Sequence, residues 1–280
     1  MSRLSGPLSP GAGVAALTPT EVNARLWQRD HVARYAGRVL RPVEVILLAR
    51  YSDALSGRVL ELGCGGGRVL GYLVALGGEV HGIDVSAAMV DHCRRTYPGA
   101  HVHLGDLTAA RRTVQGPFGA VFAPDCVLDV VEPDQRRQVL EDVRALLAPD
   151  GLLLFSSHNL AHADGAREPG GRAAVALRLA RRAAHVDASG VVTGAARVVR
   201  GMYNRRQLAP LQRRADDHAI LNDSEGDYGV LHYYVRRDDQ ERQLRQCGFT
   251  LLECLEADGN PVPHGTDGVS PWLHYVARPA

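Results

Sequence analysis

From Gly57 to Asn159 the chain alternates short β-rich apolar runs with segments of helical length, and this alternation restricts its fold more than any other feature. The runs are "GRVLELG", "EVHGIDV", "AHVHLGD", "GAVFAPD" and "LLLFSSHN". Between them lie "RVLGYLVALGG", "SAAMVDHCRRTY" with Ser86 as its cap, and "EPDQRRQVLEDVRALLAPDG", which Pro149 and Gly151 are expected to end. Strands joined through helices are parallel neighbours with right-handed crossovers, so an open, doubly wound sheet is expected. After a long interruption the rhythm returns. "RDDQERQLRQCGF" reads as a helix stopped by Gly248, and "TLLECLEA" and "WLHYVARP" read as two strands around a Gly/Pro-rich loop. These two form an antiparallel hairpin at one edge, so the expected α/β sheet has seven strands and is mostly parallel.

The same pattern divides the chain. Residues 1–20 read as a flexible tail and 21–56 as a helical cap, with Thr20 capping its first helix and Pro42 in the first turn of its second. Residues 57–158 form the core, 159–234 a lid inserted after the fifth strand, and 235–280 complete the sheet. A length of 280 residues suits one such domain with an embellishment.

Charge excludes some partners. The formal net charge of +1 supplies no basic field for nucleic acid or anionic membrane. Every basic residue is Arg and none is Lys, so Arg runs carry less information than usual. The five cysteines, Cys64, Cys93, Cys126, Cys247 and Cys254, include no CxxC pair, which fits a reducing cytoplasm and neither a disulfide framework nor a zinc knuckle. No stretch reaches about 18 uninterrupted apolar residues, and the N-terminus lacks the apolar core of a signal peptide, so no membrane span is expected.

The first run closes in "VLELGCGGGR", a glycine-rich turn that lets backbone approach a ligand. A phosphate-cradling loop would need Gly-Lys-Ser/Thr, which a chain without lysine cannot supply. A dinucleotide fingerprint would place a third glycine where Arg68 stands. Asp84 ends the second strand and Asp106 the third, each as a carboxylate at the sheet's ligand edge or as an ordinary turn former. Glu61, Gly63, Gly65 and Gly67, followed by Asp84 and Asp106, resemble motif I and its companion acids in the class I S-adenosylmethionine-dependent methyltransferases. The likeness runs to about residue 158 and returns over the last thirty or so residues.

That resemblance implies a Rossmann-like fold and S-adenosylmethionine as cofactor. It places Glu61 at the methionine end, Gly63, Cys64, Gly65 and Gly67 along the chain, Asp84 with Val85 at the ribose, and Asp106 with Leu107 around adenine. Met89 would pack near the adenosine, and Tyr35 and Arg68 would reach the cofactor carboxylate or serve in packing. One departure is Gly119, which stands where the family usually carries Asp before the fourth strand.

Methyl transfer from a sulfonium is an in-line displacement that needs alignment in a dry pocket, and a base only for a protonated nucleophile. His158, directly after the fifth strand, is the first candidate base or else a wall histidine. Tyr203 and His232 are further catalytic candidates, and Asp125, Asp129 and Tyr233 are candidates for substrate contact. The Arg-rich stretch from Arg167 to Arg214 reads as a solvated helix face or an anion-binding one. The expected function is methylation of a small molecule at oxygen or nitrogen, in specialised metabolism. Its rivals are a cofactor-binding module of the same fold without methylation, and a methyltransferase of RNA or a carrier protein. No ligand spacing singles out a metal, and the sequence does not choose between monomer and homodimer.

Overall fold

The computed structural model describes residues 17–28, 31–165, 188–224 and 227–280, with side chains of 188–197 excepted. Its N-terminal helices are α1 (Pro19–Trp27), α2 (Val32–Tyr35), α3 (Pro42–Arg50) and α4 (Ser52–Leu55). The core follows as β1 (Arg58–Leu62), α5 (Leu70–Ala75), β2 (Glu79–Asp84), α6 (Ala87–Thr96), β3 (Ala100–Leu104), α7 (Ala110–Thr113), β4 (Phe118–Ala123), α8 (Pro133–Leu146) and β5 (Leu147–Asn159). Beyond these lie α9 (Leu160–Gly165), α10 (Ala188–Leu208), β6 (Arg213–Arg214), β7 (His218–Asn222), β8 (Leu231–Val235), α11 (Arg237–Gln246), β9 (Phe249–Leu255) and β10 (Trp272–Pro279).

The strands run β3–β2–β1–β4–β5–β10–β9, parallel as far as β5, with β10 antiparallel to both β5 and β9. This is the expected seven-stranded doubly wound sheet with its antiparallel hairpin. The insertion adds three more strands to it. β5 outruns β4, and beyond Phe155 its free side pairs in parallel with β8 through His158 and Asn159, while β7 and β6 follow antiparallel.

Both faces of the central strands are buried, which is why they read as nearly unbroken apolar runs. Leu60, Leu62, Phe118, Val121 and Phe155 pack with Val139 and Val143 of α8 and Leu244 of α11. Val59, Val80, Ala120 and Leu154 face Leu47 of α3, Leu70 of α5 and Val90 of α6. Each such side chain contributes about 1.5–3 kcal/mol on burial. Alternation along β1 turns Glu61 to the second face, beneath the N-terminal helices.

Local signals behave unevenly. Ser86 caps α6 and Pro42 opens α3, as expected. Thr18, not Thr20, caps α1, in a capping box with Glu21, and Thr20 instead bonds to Gln135 and to the Glu132 amide. Residues 1–16 of the expected tail lie outside the described residues, and Leu17 packs against the cluster that holds Val22 and Ile220. α8 stops at Leu146, ahead of Pro149, because the chain has already begun pairing with Phe118 through Leu147.

Candidate functional site

One cleft opens at the carboxyl edge of β1, β2, β3 and β4, beneath α1 and α2. Of the residues expected at a cofactor, all except Gly67 line it: Tyr35, Glu61, Gly63, Cys64, Gly65, Arg68, Asp84, Val85, Met89, Asp106 and Leu107. Gly63 and Gly65 hold φ of +69° and +50°, a left-handed conformation that glycine adopts without strain. Gly63 also has no room for a Cβ, which would stand 2.4 Å from Val127 Cγ2. Gly67 faces the other way, onto Tyr97 and Cys93, while Gly66, which the sequence reading passed over, lines the cleft and backs onto Tyr35 and Ala36.

Asp84 receives the Gly65 and Ser86 amides at 2.8 Å each, so it braces the turn while lining the cleft. Burial raises its carboxyl above the usual range, and the amides of Ser86, Gly65 and Val85 work against that rise. Asp106 caps the short 3-10 turn that follows, accepting from the Thr108 amide at 2.8 Å and hydroxyl at 2.7 Å.

Glu61 is different. It is buried, and its Oε2 has no hydrogen-bond partner among the described residues. Burial pushes its carboxyl well above the ordinary range; Cys93, Glu44 and Asp84 add to the rise, and Arg68 opposes it. An unpaired buried carboxylate is costly unless a donor arrives.

Arg68 is neutralised from two sides, by Glu44 and by Asp125 at 3.0 Å. Asp125 also meets Arg41 at 2.9 Å and Arg38 at 3.6 Å. Burial would raise the Asp125 carboxyl, but Arg68, Arg41 and Arg38 outweigh it and hold the group below its usual range. Asp125 reaches this position through a strained turn, since it and Cys126 have φ of 51° and 56°. The Cys126 amide is pinned by Ser156 Oγ at 2.8 Å.

The outer wall was not foreseen. Thr20, Asn23, Ala24, Trp27, His31 and Arg38 from the N-terminal segment, Val127, Val130 and Val131 after β4, and Trp272 of β10 complete the cleft. Trp27, His31 and Tyr35 form an aromatic triangle with ring centroids 6.2–6.4 Å apart. They come from the end of α1, the cap of α2 and the end of α2, so no spacing along a single helix signals their meeting. The Trp27 Nε1–H is buried without a partner. Arg38 stacks over Tyr35 at 3.9 Å and Arg41 over Trp272 at 4.2 Å.

The residues expected to carry catalysis or to touch substrate lie elsewhere, except Asp125, which lines the cleft. His158, His232, Tyr203, Asp129 and Tyr233 do not line this cleft. His158 is buried among partners: Nδ1 meets Asp129 at 2.8 Å, Nε2 faces Asp223 at 3.5 Å, and the ring stacks on His232 at 4.5 Å. His232 Nδ1 meets Asp223 at 2.7 Å. Asp129 also accepts from Arg136 at 3.1 Å, Ser157 at 2.8 Å and the His158 amide at 2.7 Å. Burial alone would raise Asp129; the His158 hydrogen bond and the Arg136 charge hold it below its usual range. Tyr233 is buried on the opposite side of β8, under Arg136 and against His218, and Tyr203 is exposed on α10. Much of the Arg-rich stretch, residues 166–187, lies outside the described residues.

Residues 59–151 match the model of a family described as a methyltransferase domain. Over 124 residues the chain is 30% identical to the ubiquinone biosynthesis O-methyltransferase of Paraburkholderia phymatum, covering 43% of this chain and 52% of that one. It is 28% identical to the magnesium-protoporphyrin O-methyltransferase of Rhodobacter capsulatus, over 44% and 58% of the two chains. The chain thus spans about half the length of the curated relatives it matches. A solved glycopeptide N-methyltransferase in complex with S-adenosyl-L-homocysteine shares the fold, with a TM-score of 0.53 at 17% identity over 85% of this chain and 90% of that one. The fold is that of the class I methyltransferases, and the resemblance carried by the glycine turn is borne out.

Proposed function

We propose that the cleft binds S-adenosylmethionine and that the protein, acting in the cytoplasm, transfers its methyl group to a small molecule held under α1 and α2. The observation that carries this reading is Glu61, a buried carboxylate whose Oε2 lacks a donor and which lines the cleft beside the glycine turn. The α-ammonium of a methionine chain supplies that donor and a compensating charge. The rest of the inner cleft fits the same ligand. Gly63 and Gly65 leave room for a chain, Asp84 offers a carboxylate for ribose hydroxyls, and Asp106, Leu107 and Met89 offer a polar and apolar frame for a base. When bound, the cofactor supplies an electrophilic methyl group on a sulfonium.

The chain's own part is to position, to dry and to take a proton. Val127, Val130, Val131 and Trp27 exclude water from the outer cleft, and the Trp27 Nε1–H is a donor awaiting an acceptor. His31 replaces His158 as the group suited to accept a proton. Its Nε2 lies 3.0 Å from the Leu26 carbonyl, which can only accept, so in the neutral ring Nδ1 carries the lone pair. O-Methylation of a hydroxyl acceptor is supported by the relatives named above.

Calorimetric titration with S-adenosylmethionine and S-adenosylhomocysteine, followed by incubation of labelled methyl donor with phenol and amine pools, tests the proposal. Saturable binding and label in an acceptor are expected. Absence of binding to folded protein overturns the cofactor assignment, and binding without S-adenosylhomocysteine formation overturns the enzymatic one.

A further inference from the structure

A second cluster of histidines, none of which lines the cleft, lies on the outer strands of the sheet. β3 is an edge strand, and it pairs with β2 in parallel so that His81 stands beside His101 and Ile83 beside His103. Alternation puts residues 79, 81, 101 and 103 on one face. Over the rest of that face Leu60, Leu62 and Ile83 are covered by α8 and the segment around Ala110. The connection from β3 to β4 holds only a 3-10 turn and the four-residue α7, and Glu79 and His101 remain exposed.

The result is a set of convergent ligand atoms. One ligand atom each from Glu79, His81 and His101 lies within 4.8 Å of the other two. His81 Nε2 is 2.8 Å from Glu79 Oε1, and its ring centroid is 4.9 Å from that of His101. From the other side, His81 Nδ1 meets His103 Nε2 at 3.4 Å, and Phe118 abuts the ring edge-on at 5.4 Å. Such an outer partner fixes the orientation of a ligating imidazole. Arg58 competes for Glu79 at 3.0 Å, so the carboxylate must turn from a partially exposed guanidinium to reach an ion.

We propose that Glu79, His81 and His101 bind a first-row divalent transition metal of the Zn²⁺ type, with His103 as a positioning residue. Two imidazoles beside one carboxylate suit Zn²⁺, Ni²⁺ and Cu²⁺, and the imidazoles disfavour Mg²⁺, which prefers oxygen donors. The sequence reading missed this set because its members come from two strands and share no ligand spacing along the chain.

The test uses full-length, untagged, chelator-stripped protein titrated with ZnCl2, with MgCl2 as the control. One Zn²⁺ per chain is expected. His81→Ala and His101→Ala should each weaken it by at least about tenfold, and His103→Ala by less. His264→Ala, in the Asp238/Glu241/His264 group, and His232→Ala, in the His158/Asp223/His232 group, should leave it unchanged. His101 is exposed, so its variant keeps the fold, and circular dichroism checks this. Absence of Zn²⁺ binding, or binding that survives His81→Ala with His101→Ala and is lost in His264→Ala or His232→Ala, overturns the proposal. S-Adenosylmethionine titrated into the same variants should bind as in the wild type, so failure here is distinguishable from failure of the cofactor assignment.

Discussion

Trp272 separates two groups of buried charge built on opposite rules: its indole lines the cleft on one side and meets His158 at 5.7 Å on the other. Behind it, Asp129 is met by Arg136, Ser157 and both the amide and ring of His158. In the cleft, Glu61 keeps an oxygen with no partner. Full pairing marks a network that holds β5, β8 and α8 together. Incomplete pairing marks a seat that a ligand completes. A histidine at a strand end is therefore no guide to catalysis until its partners are known.

The largest expected effect comes from breaking the paired side. Arg136→Ala leaves the Asp129 carboxylate buried with its main counter-charge gone, and should cost about 3–5 kcal/mol of stability in urea unfolding. The paired side should also weaken in acid. The folded-state Asp129 carboxyl lies below its ordinary value of 3.8, so its contribution is present above that pH and is lost as pH falls through the lower folded value.

His158→Ala should be milder, with a loss of about 1–3 kcal/mol from the unpaired Asp129 oxygen. Methyl transfer per folded molecule should stay within a few-fold of wild type. A collapse of turnover with cofactor affinity intact would restore His158 to the chemistry and break the division drawn here.

Glu61→Gln should move stability least and in the opposite direction. Folded Glu61 binds its proton more tightly than the unfolded residue does, so wild-type stability falls as pH rises above about 4.5 toward the folded value. The glutamine variant lacks that decline and should be the more stable protein at pH 7. Its affinity for S-adenosylmethionine should nonetheless drop roughly 10- to 100-fold, the worth of one charge-assisted hydrogen bond. Stability and affinity moving together would refute the idea that a ligand completes the pairing of Glu61.

Periodicity made the parallel strands legible, since Val59, Val80 and Val121 are buried by neighbours of their own kind whatever the loops do. The glycine turn and Asp84 were legible because a tight backbone approach leaves few residue choices. The three strands of the insertion were not, because "AILN" and "LHYYV" become strands only where β5 outruns β4 and offers an unpaired side. The outer wall was hidden for a related reason: Trp27, His31 and Tyr35 meet only once two separate helices fold together, with the backbone at Tyr35 and Ala36 against Gly66. Aromatic density in the insertion did not say which rings are buried: Tyr233 packs against Arg136, whereas Tyr203 is exposed.

Asn23 carries a further consequence. Its carboxamide donates to the Val130 carbonyl at 2.7 Å and the Leu231 carbonyl at 2.6 Å, and accepts the Leu231 amide at 2.9 Å. Helix α1, the cleft's valine wall and β8 are thus riveted through one side chain. Moving α1 off the cleft would break all three bonds together, at about 1 kcal/mol each, so the roof and the wall of the cleft hold or yield as one unit.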